Sequence, residues 1–226
     1  QAEDGIRDVE RSRGLGDVYK RQIYMQLSLS YICDRPYNIY QSYTKLKEKY
    51  KMSIHMDCMD GHFVPRLGVH PEAIDEIDYA EHIDVHAMIT SNNPSWDQIL
   101  KTQADKIFAH YESFHSEQEC VDFLSRDSRL KLAFKPYHTI PQIDAICDRL
   151  DVSEFLLMAY NPGIKVQDSF YNLETLEDTQ RYVTIDGGVK LSTVDQFKED
   201  PKITLVAGSK VLFNDMYEAN IECLIS

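Results

Sequence analysis

His55 and Asp57 stand one residue apart in a segment where Met52, Ile54, Met56 and Cys58 alternate with Ser53, His55, Asp57 and Met59. In an extended strand, residues two apart project to the same side. The imidazole and the carboxylate therefore point together, just before Gly61 and Pro65 end the strand. Such a pair is half of a metal or acid/base site, or else a hydrogen-bonded structural pair. The same alternation returns in Asp84-Val-His86-Ala-Met88, and a further carboxylate, Asp186, precedes Gly187-Gly188. If the fold brings them together, His55, His86, Asp57 and Asp186 form a mixed nitrogen and oxygen set that suits Zn²⁺, Fe²⁺, Mn²⁺ or Co²⁺.

The elements that must position these residues follow a strict alternation. Strand candidates are Tyr24–Tyr31, Met52–Asp57, His82–Met88, Lys106–Tyr111, Leu130–Lys135, Glu154–Tyr160, Tyr182–Asp186 and Ile203–Ala207. Between and after them lie helical patterns near 37–50, 71–79, 94–103, 116–127, 140–150, 172–180, 191–199 and 211–224, with Asn93-Pro94 and Thr139 with Pro141 as start signals. Eight strand–helix units in roughly 200 residues predict an α/β protein of the (β/α)₈ barrel type. A doubly wound sheet is the competitor, but no G-x-G-x-x-G follows the first strand. A barrel gathers its chemistry at the C-terminal ends of its strands, and His55, Asp57, His86 and Asp186 all fall there. His110, at the fourth strand end, is expected to support the site from behind rather than to ligate. Asp60 and His62 are expected to stabilise their loop. Asp84, inward but below the rim, is expected as an outer partner of the ligands.

The chain has 226 residues and a net charge of −13 with a pI near 5.0 and no basic stripe, which disfavours non-specific nucleic-acid binding. Its longest apolar run, Phe155 to Tyr160, is far short of a membrane span. The five cysteines, Cys33, Cys58, Cys120, Cys147 and Cys223, contain no C-x-x-C pair, which suits reduced thiols in a cytoplasmic setting. Residues 1–22 mix both charges with three glycines and carry no apolar face. They resemble translated adapter read-through and are read as a non-native tail, leaving residues 23–226 as a single barrel domain.

At the strand ends the chain resembles the ribulose-phosphate 3-epimerase family from about Leu27 to Phe213. The resemblance is carried by His55-Met-Asp57-Cys-Met59-Asp60-Gly61-His62-Phe63-Val64-Pro65, Asp84-Val-His86-Ala-Met88, Met158-Ala-Tyr-Asn161-Pro162-Gly163, Asp186-Gly187-Gly188 and Ala207-Gly208-Ser209. It implies one divalent metal held by His55, Asp57, His86 and Asp186, with Asp57 and Asp186 also the acid/base pair. It further implies a substrate-contacting Ser30, and Met59, Met88 and Met158 lining the site, with Asn161 and Gly163 on the substrate side. The implied reaction inverts C3 of a ketose 5-phosphate, ribulose 5-phosphate to xylulose 5-phosphate. A divalent ion stabilises the enediolate, and one carboxylate on each face removes and returns the proton. Phosphate is expected at Gly187, Gly188, Gly208 and Ser209, where backbone N–H groups can approach closely.

The chain also departs from the family. Ile164-Lys165-Val166-Gln167 stands where a Phe-Gly-Gly-Gln run is usual, Lys135-Pro136-Tyr137 where Asn-Pro-Gly is usual, and Arg66-Leu67-Gly68-Val69-His70 where Asn-Leu-Thr-Phe-Gly is common. Lys135 and Lys165 are either cationic contacts to phosphate or solvated loop charges. The alternatives are an epimerase of another ketose phosphate, such as allulose 6-phosphate, and a catalytically silent binding or regulatory member. A phosphate-binding decarboxylase is disfavoured, because its Asp-x-Lys-x-x-Asp run is absent. The expected partner is a small sugar phosphate, with no nucleic acid and no membrane, and with a homo-oligomer left open.

Overall fold

A computed structural model describes residues 25–160, 176, 178–212 and 216–225. The expected tail, and the loop carrying Asn161, Gly163 and Lys165, lie outside the described residues. Along the chain run β1 (Gln26–Ser30), α1 (Pro36–Leu46), β2 (Lys51–Met59), β3 (Ile83–Met88), α2 (Trp96–Ile99), β4 (Lys106–His110), α3 (Glu117–Leu124), β5 (Leu130–Phe134), α4 (Ile140–Leu150), β6 (Glu154–Met158), β7 (Tyr182–Asp186), α5 (Leu191–Phe197), β8 (Ile203–Ala207) and α6 (Tyr217–Ile225). The eight strands close in sequence order into one barrel, every pairing parallel, with β1 joined to β8. This is the (β/α)₈ barrel that the alternation predicts.

The strands have one apolar and one mixed face, and the register explains why. Leu27, Leu29, Ile54, Met56, Val85 and Ala87 point outward into the main core beneath the helices. The inward face divides in two. Phe108, Ala133, Leu156 and Met158 form a small apolar cluster inside the β4–β6 side. Inside β1–β3 the residues are polar: Ser28, Ser30, Ser53, His55, Asp57, Asp84 and His86 are all buried. Buried polar groups need partners, and the lower ones find them. Asp84 Oδ2 accepts from Ser53 Oγ at 2.6 Å and from Ser28 Oγ at 3.1 Å. Asp84 is thus held by two serines one layer below the rim, and among the described residues it bonds to none of the expected ligands, contrary to the outer-partner expectation.

The helical layer is less regular than the pattern suggests. The segment expected as a helix over 71–79 forms only a 3₁₀ turn, Pro71–Ile74, and the one over 94–103 keeps a single turn, α2. The 172–180 expectation falls largely outside the described residues. A physical reason is visible after α2. Arg129 reaches across from the start of β5 and donates to the carbonyls of Leu100 (2.6 Å), Thr102 (2.7 Å) and Ala104 (3.0 Å), while pairing with Asp127. Those carbonyls are satisfied by a guanidinium, so the segment has no need to continue as helix. Elsewhere the local signals hold: Thr139 and Gln142 form a capping box on α4.

Candidate metal and active site

The ends of β2, β3 and β7 deliver the four candidate ligands. Register sets Asp57 beside His86 and Ser30 beside His55, and β7 brings Asp186 to the rim. Ligand atoms of His55, Asp57, His86 and Asp186 all lie within 4.8 Å of one another. His86 Nδ1 is 3.1 Å from Asp186 Oδ2 and 3.4 Å from Asp57 Oδ1. His55 Nε2 is 3.6 Å from Asp57 Oδ1 and 3.9 Å from Asp186 Oδ2. Ser30 Oγ donates to Asp57 Oδ2 at 3.2 Å and so helps orient that carboxylate.

These residues fit a divalent ion on an observation of their own. His55 is fully buried, yet neither ring nitrogen has a hydrogen-bond partner. An orphaned buried imidazole is costly, and its Nε2 faces two carboxylates at distances too long for hydrogen bonds. An ion seated among the four groups would satisfy it. The protonation states agree. Burial pulls the His86 imidazole down, but hydrogen bonds to Asp186 and Asp57 overcome it and raise the pKa to about 9. Burial pushes Asp186 up, and the His86 hydrogen bond with the neighbouring imidazoles outweighs it, so the carboxyl sits below its ordinary value. Without an ion, a proton on His86 balances the carboxylates, and an ion would take its place.

The pocket above this set has a volume of about 360 Å³. Met59, Met88 and Met158 line it, as do Ser30, Asp57, Asp186, Gly187, Gly188, Gly208 and Ser209. Every expected site residue among those described is therefore in one place. Among the lining residues not assigned to the site from the sequence are Tyr160, Arg66 and Lys210. Arg66 was visible as a departure in its loop, and Lys210 as the residue after Gly208-Ser209. Tyr160 packs on Gly187, where a Cβ would lie 2.4 Å from the tyrosine ring. Gly187 also has φ +92°, so a side chain is excluded twice. Burial, then the charges of Asp186 and Asp57, push the Tyr160 phenol up to about 12.

The loop after β2 is tied down as expected. Asp60 accepts the N–H groups of His62 and Phe63, each at 2.8 Å, that of Thr90 at 3.1 Å and the Asn93 amide at 3.1 Å. These bonds outweigh the burial that opposes ionisation and keep the carboxyl below its ordinary value. Lys135 does not enter the pocket. Its ammonium lies 4.1 Å from the centre of the Phe63 ring, a cation–π contact.

A parallel eight-stranded barrel with a two-histidine, two-aspartate cluster at its strand ends defines a metal-competent (β/α)₈ protein. Residues 26–212 match the model of the Ribulose-phosphate 3 epimerase family, and the chain belongs to that family of isomerases. It is 29% identical over 171 residues to a ribulose-phosphate 3-epimerase of Chlamydia muridarum, covering 69% of this chain and 74% of the relative. To that of Serratia marcescens it is 27% identical over 172 residues, 70% and 81% of the two chains. To that of Escherichia coli K12 it is 26% identical over 183 residues, 75% and 80% of the two. No helix among the described residues is long and apolar enough to cross a membrane.

Proposed function

We propose that this protein is a metal-dependent 3-epimerase of a ketose phosphate, interconverting D-ribulose 5-phosphate and D-xylulose 5-phosphate. The observation that carries the reading is the pair Asp57 and Asp186, from strands β2 and β7, meeting at one pocket beside two imidazoles. His55, Asp57, His86 and Asp186 would hold the ion. When bound, it supplies positive charge that stabilises an enediolate by several kcal/mol.

The chain's own residues do the rest. Asp57 and Asp186 take and return the C3 proton on opposite faces of the planar intermediate, which inverts the carbon. Ser30 orients Asp57 through its hydrogen bond. Met59, Met88 and Met158 make an apolar, polarisable wall that keeps bulk water from quenching the carbanion. Gly187, Gly188, Gly208 and Ser209 offer backbone N–H groups to the phosphate, and Arg66 and Lys210 add positive charge at the pocket wall. Asn161 and Gly163 are assigned to the substrate side by their motif.

Metal analysis of the purified protein, then an epimerisation screen over pentulose and hexulose phosphates in deuterated water, tests the proposal. Metal uptake with deuterium entering C3 of ribulose 5-phosphate is the expected result. Turnover of allulose 6-phosphate alone would move the assignment to a six-carbon substrate. Binding without exchange at any C3 would leave a silent family member.

A further inference from the structure

Behind the ion-facing nitrogen of His86 runs a buried polar chain that the proton transfers do not use. His86 Nε2 lies 2.9 Å from His110 Nε2. His110 Nδ1 lies 3.1 Å from Glu112 Oε2. Glu112 Oε1 accepts the backbone N–H of Lys135 at 2.7 Å and lies 3.1 Å from His138 Nε2. Both imidazoles are fully buried and the Glu112 side chain is 9% exposed. The His110 ring is also held from above by Phe63, with ring centres 4.8 Å apart.

The chemistry of the groups fixes the direction of this chain. An ionised carboxylate only accepts, so His110 Nδ1 carries hydrogen. His110 in its neutral form then has a lone pair at Nε2, and His86 Nε2 must donate to it. His86 keeps that Nε2 hydrogen whether its Nδ1 holds a proton or faces an ion. The tautomer of His110 is thus the device that leaves His86 Nδ1 as the metal-facing atom.

We propose that Glu112 and His110 are positioning residues: Glu112 holds His110 as the Nδ1–H tautomer, and His110 in turn aims the Nδ1 lone pair of His86 at the ion. The proposal rests on the metal reading above and adds to it two residues that touch neither ion nor substrate. Ligating imidazoles are commonly oriented by such a partner, whose loss costs roughly ten- to a hundredfold in metal affinity.

Glu112→Gln tests it with little change of shape. A glutamine has one acceptor oxygen. The Lys135 N–H is a fixed backbone donor, so the amide oxygen turns to it and the amide NH₂ faces His110 Nδ1. His110 must then move its hydrogen to Nε2, against the hydrogen on His86. Two measurements read this out: Zn²⁺ affinity by competition with a chromogenic chelator, and the His110 tautomer by long-range ¹H–¹⁵N NMR on metal-free protein at pH 7.5. The expected result is an Nδ1–H His110 in the wild type, an Nε2–H His110 in Glu112→Gln, and Zn²⁺ affinity lower by about tenfold or more. Wild-type affinity in a folded Glu112→Gln protein overturns the proposal. So does an Nε2–H His110 in the wild type. If Glu112→Gln does not fold, His110→Phe removes the acceptor while keeping a ring against Phe63, and the same affinity loss is required. A wild-type protein that binds no divalent ion would sink the epimerase reading instead, and the tautomer measurement would still decide whether the chain exists.

Discussion

At the scale of single residues, His86 of the candidate ligand set and its neighbour His110 have opposite tendencies, and this gives the metal-free protein a definite pH profile. The His86 pKa is raised to about 9, so its stabilising share is complete below the unfolded value near 6.5 and is lost as pH rises through about 9. His110 is depressed to about 4 by burial, then by the positive charge at His86, against the pull of Glu112. Its share is present above about 6.5 and is lost as pH falls towards 4. Each contribution is on the order of 3 kcal/mol. Melting temperature in the presence of a chelator should therefore peak near pH 6.5, and excess Zn²⁺ should flatten the alkaline limb by replacing the proton on His86. A steady rise of melting temperature from pH 6.5 to 9 in the chelated protein would contradict the His86 assignment. Arg66 gives a second prediction at this scale. Among the described residues it makes no ion pair, although it lines the pocket. Arg66→Ala should raise KM for a phosphorylated ketose by about five- to tenfold with little change in kcat, because a contact shared by ground and transition states is lost. An equal rise for the unphosphorylated sugar would mean that Arg66 does not meet the phosphate. That His55, Asp57, His86 and Asp186 cluster was legible because His and Asp recur at the ends of strands that a barrel brings together, although H-x-D alone is a weak signal. Tyr160 was not, since its role comes from a contact with Gly187, remote in sequence.

At the scale of elements, the loop that follows β2 shows how a rim is kept rigid. It folds back so that Val69 N–H donates to the Asp57 carbonyl at 2.7 Å and Gly68 N–H to Met59 O at 3.3 Å. Gly68 lies flat on the strand. A Cβ there would be 2.2 Å from Asp57 O and 2.6 Å from Met59 N, both backbone atoms with nowhere to go. Gly68→Ala should lift the loop, costing roughly 1–3 kcal/mol of stability. It should also lower kcat by at least about tenfold by displacing Asp57. Thermal melting and steady-state kinetics check this, and wild-type kcat in Gly68→Ala would show that the loop does not hold Asp57. Nothing in the sequence separates Gly68 from an ordinary loop glycine, because the close approach depends on where the chain returns. The helices after β2 and β3 failed to reach their expected lengths for a similar reason. Apolar period is a local signal, whereas the termination of α2 involves Arg129, which lies 29 residues beyond Leu100.

At the scale of the whole molecule, the candidate ligand set draws residues from strands that do not all pair. β2 and β3 are neighbours, but β7 pairs with neither, and β8 and β1 lie between it and β2. An ion held by Asp57 and His86 on one side and Asp186 on the other would fasten the barrel across its mouth, and its binding energy becomes folding energy. At a free metal concentration about a thousandfold above Kd the linkage is worth about 4 kcal/mol. For a barrel of roughly 200 residues that corresponds to a rise in melting temperature on the order of 10 °C. Asp57→Asn should lose most of the gain, since it removes a charged ligand, while melting without metal changes less. Asp84→Asn is the matched control. Its carboxylate is equally buried and on an adjacent strand, but it is held by Ser28 and Ser53 one layer below the site. If the rise reflects an ion at the rim, Asp84→Asn should keep the same metal-dependent increment from a lower starting temperature. An increment lost equally in both variants would mean that the ion acts on the barrel's general charge of −13 rather than at the cluster.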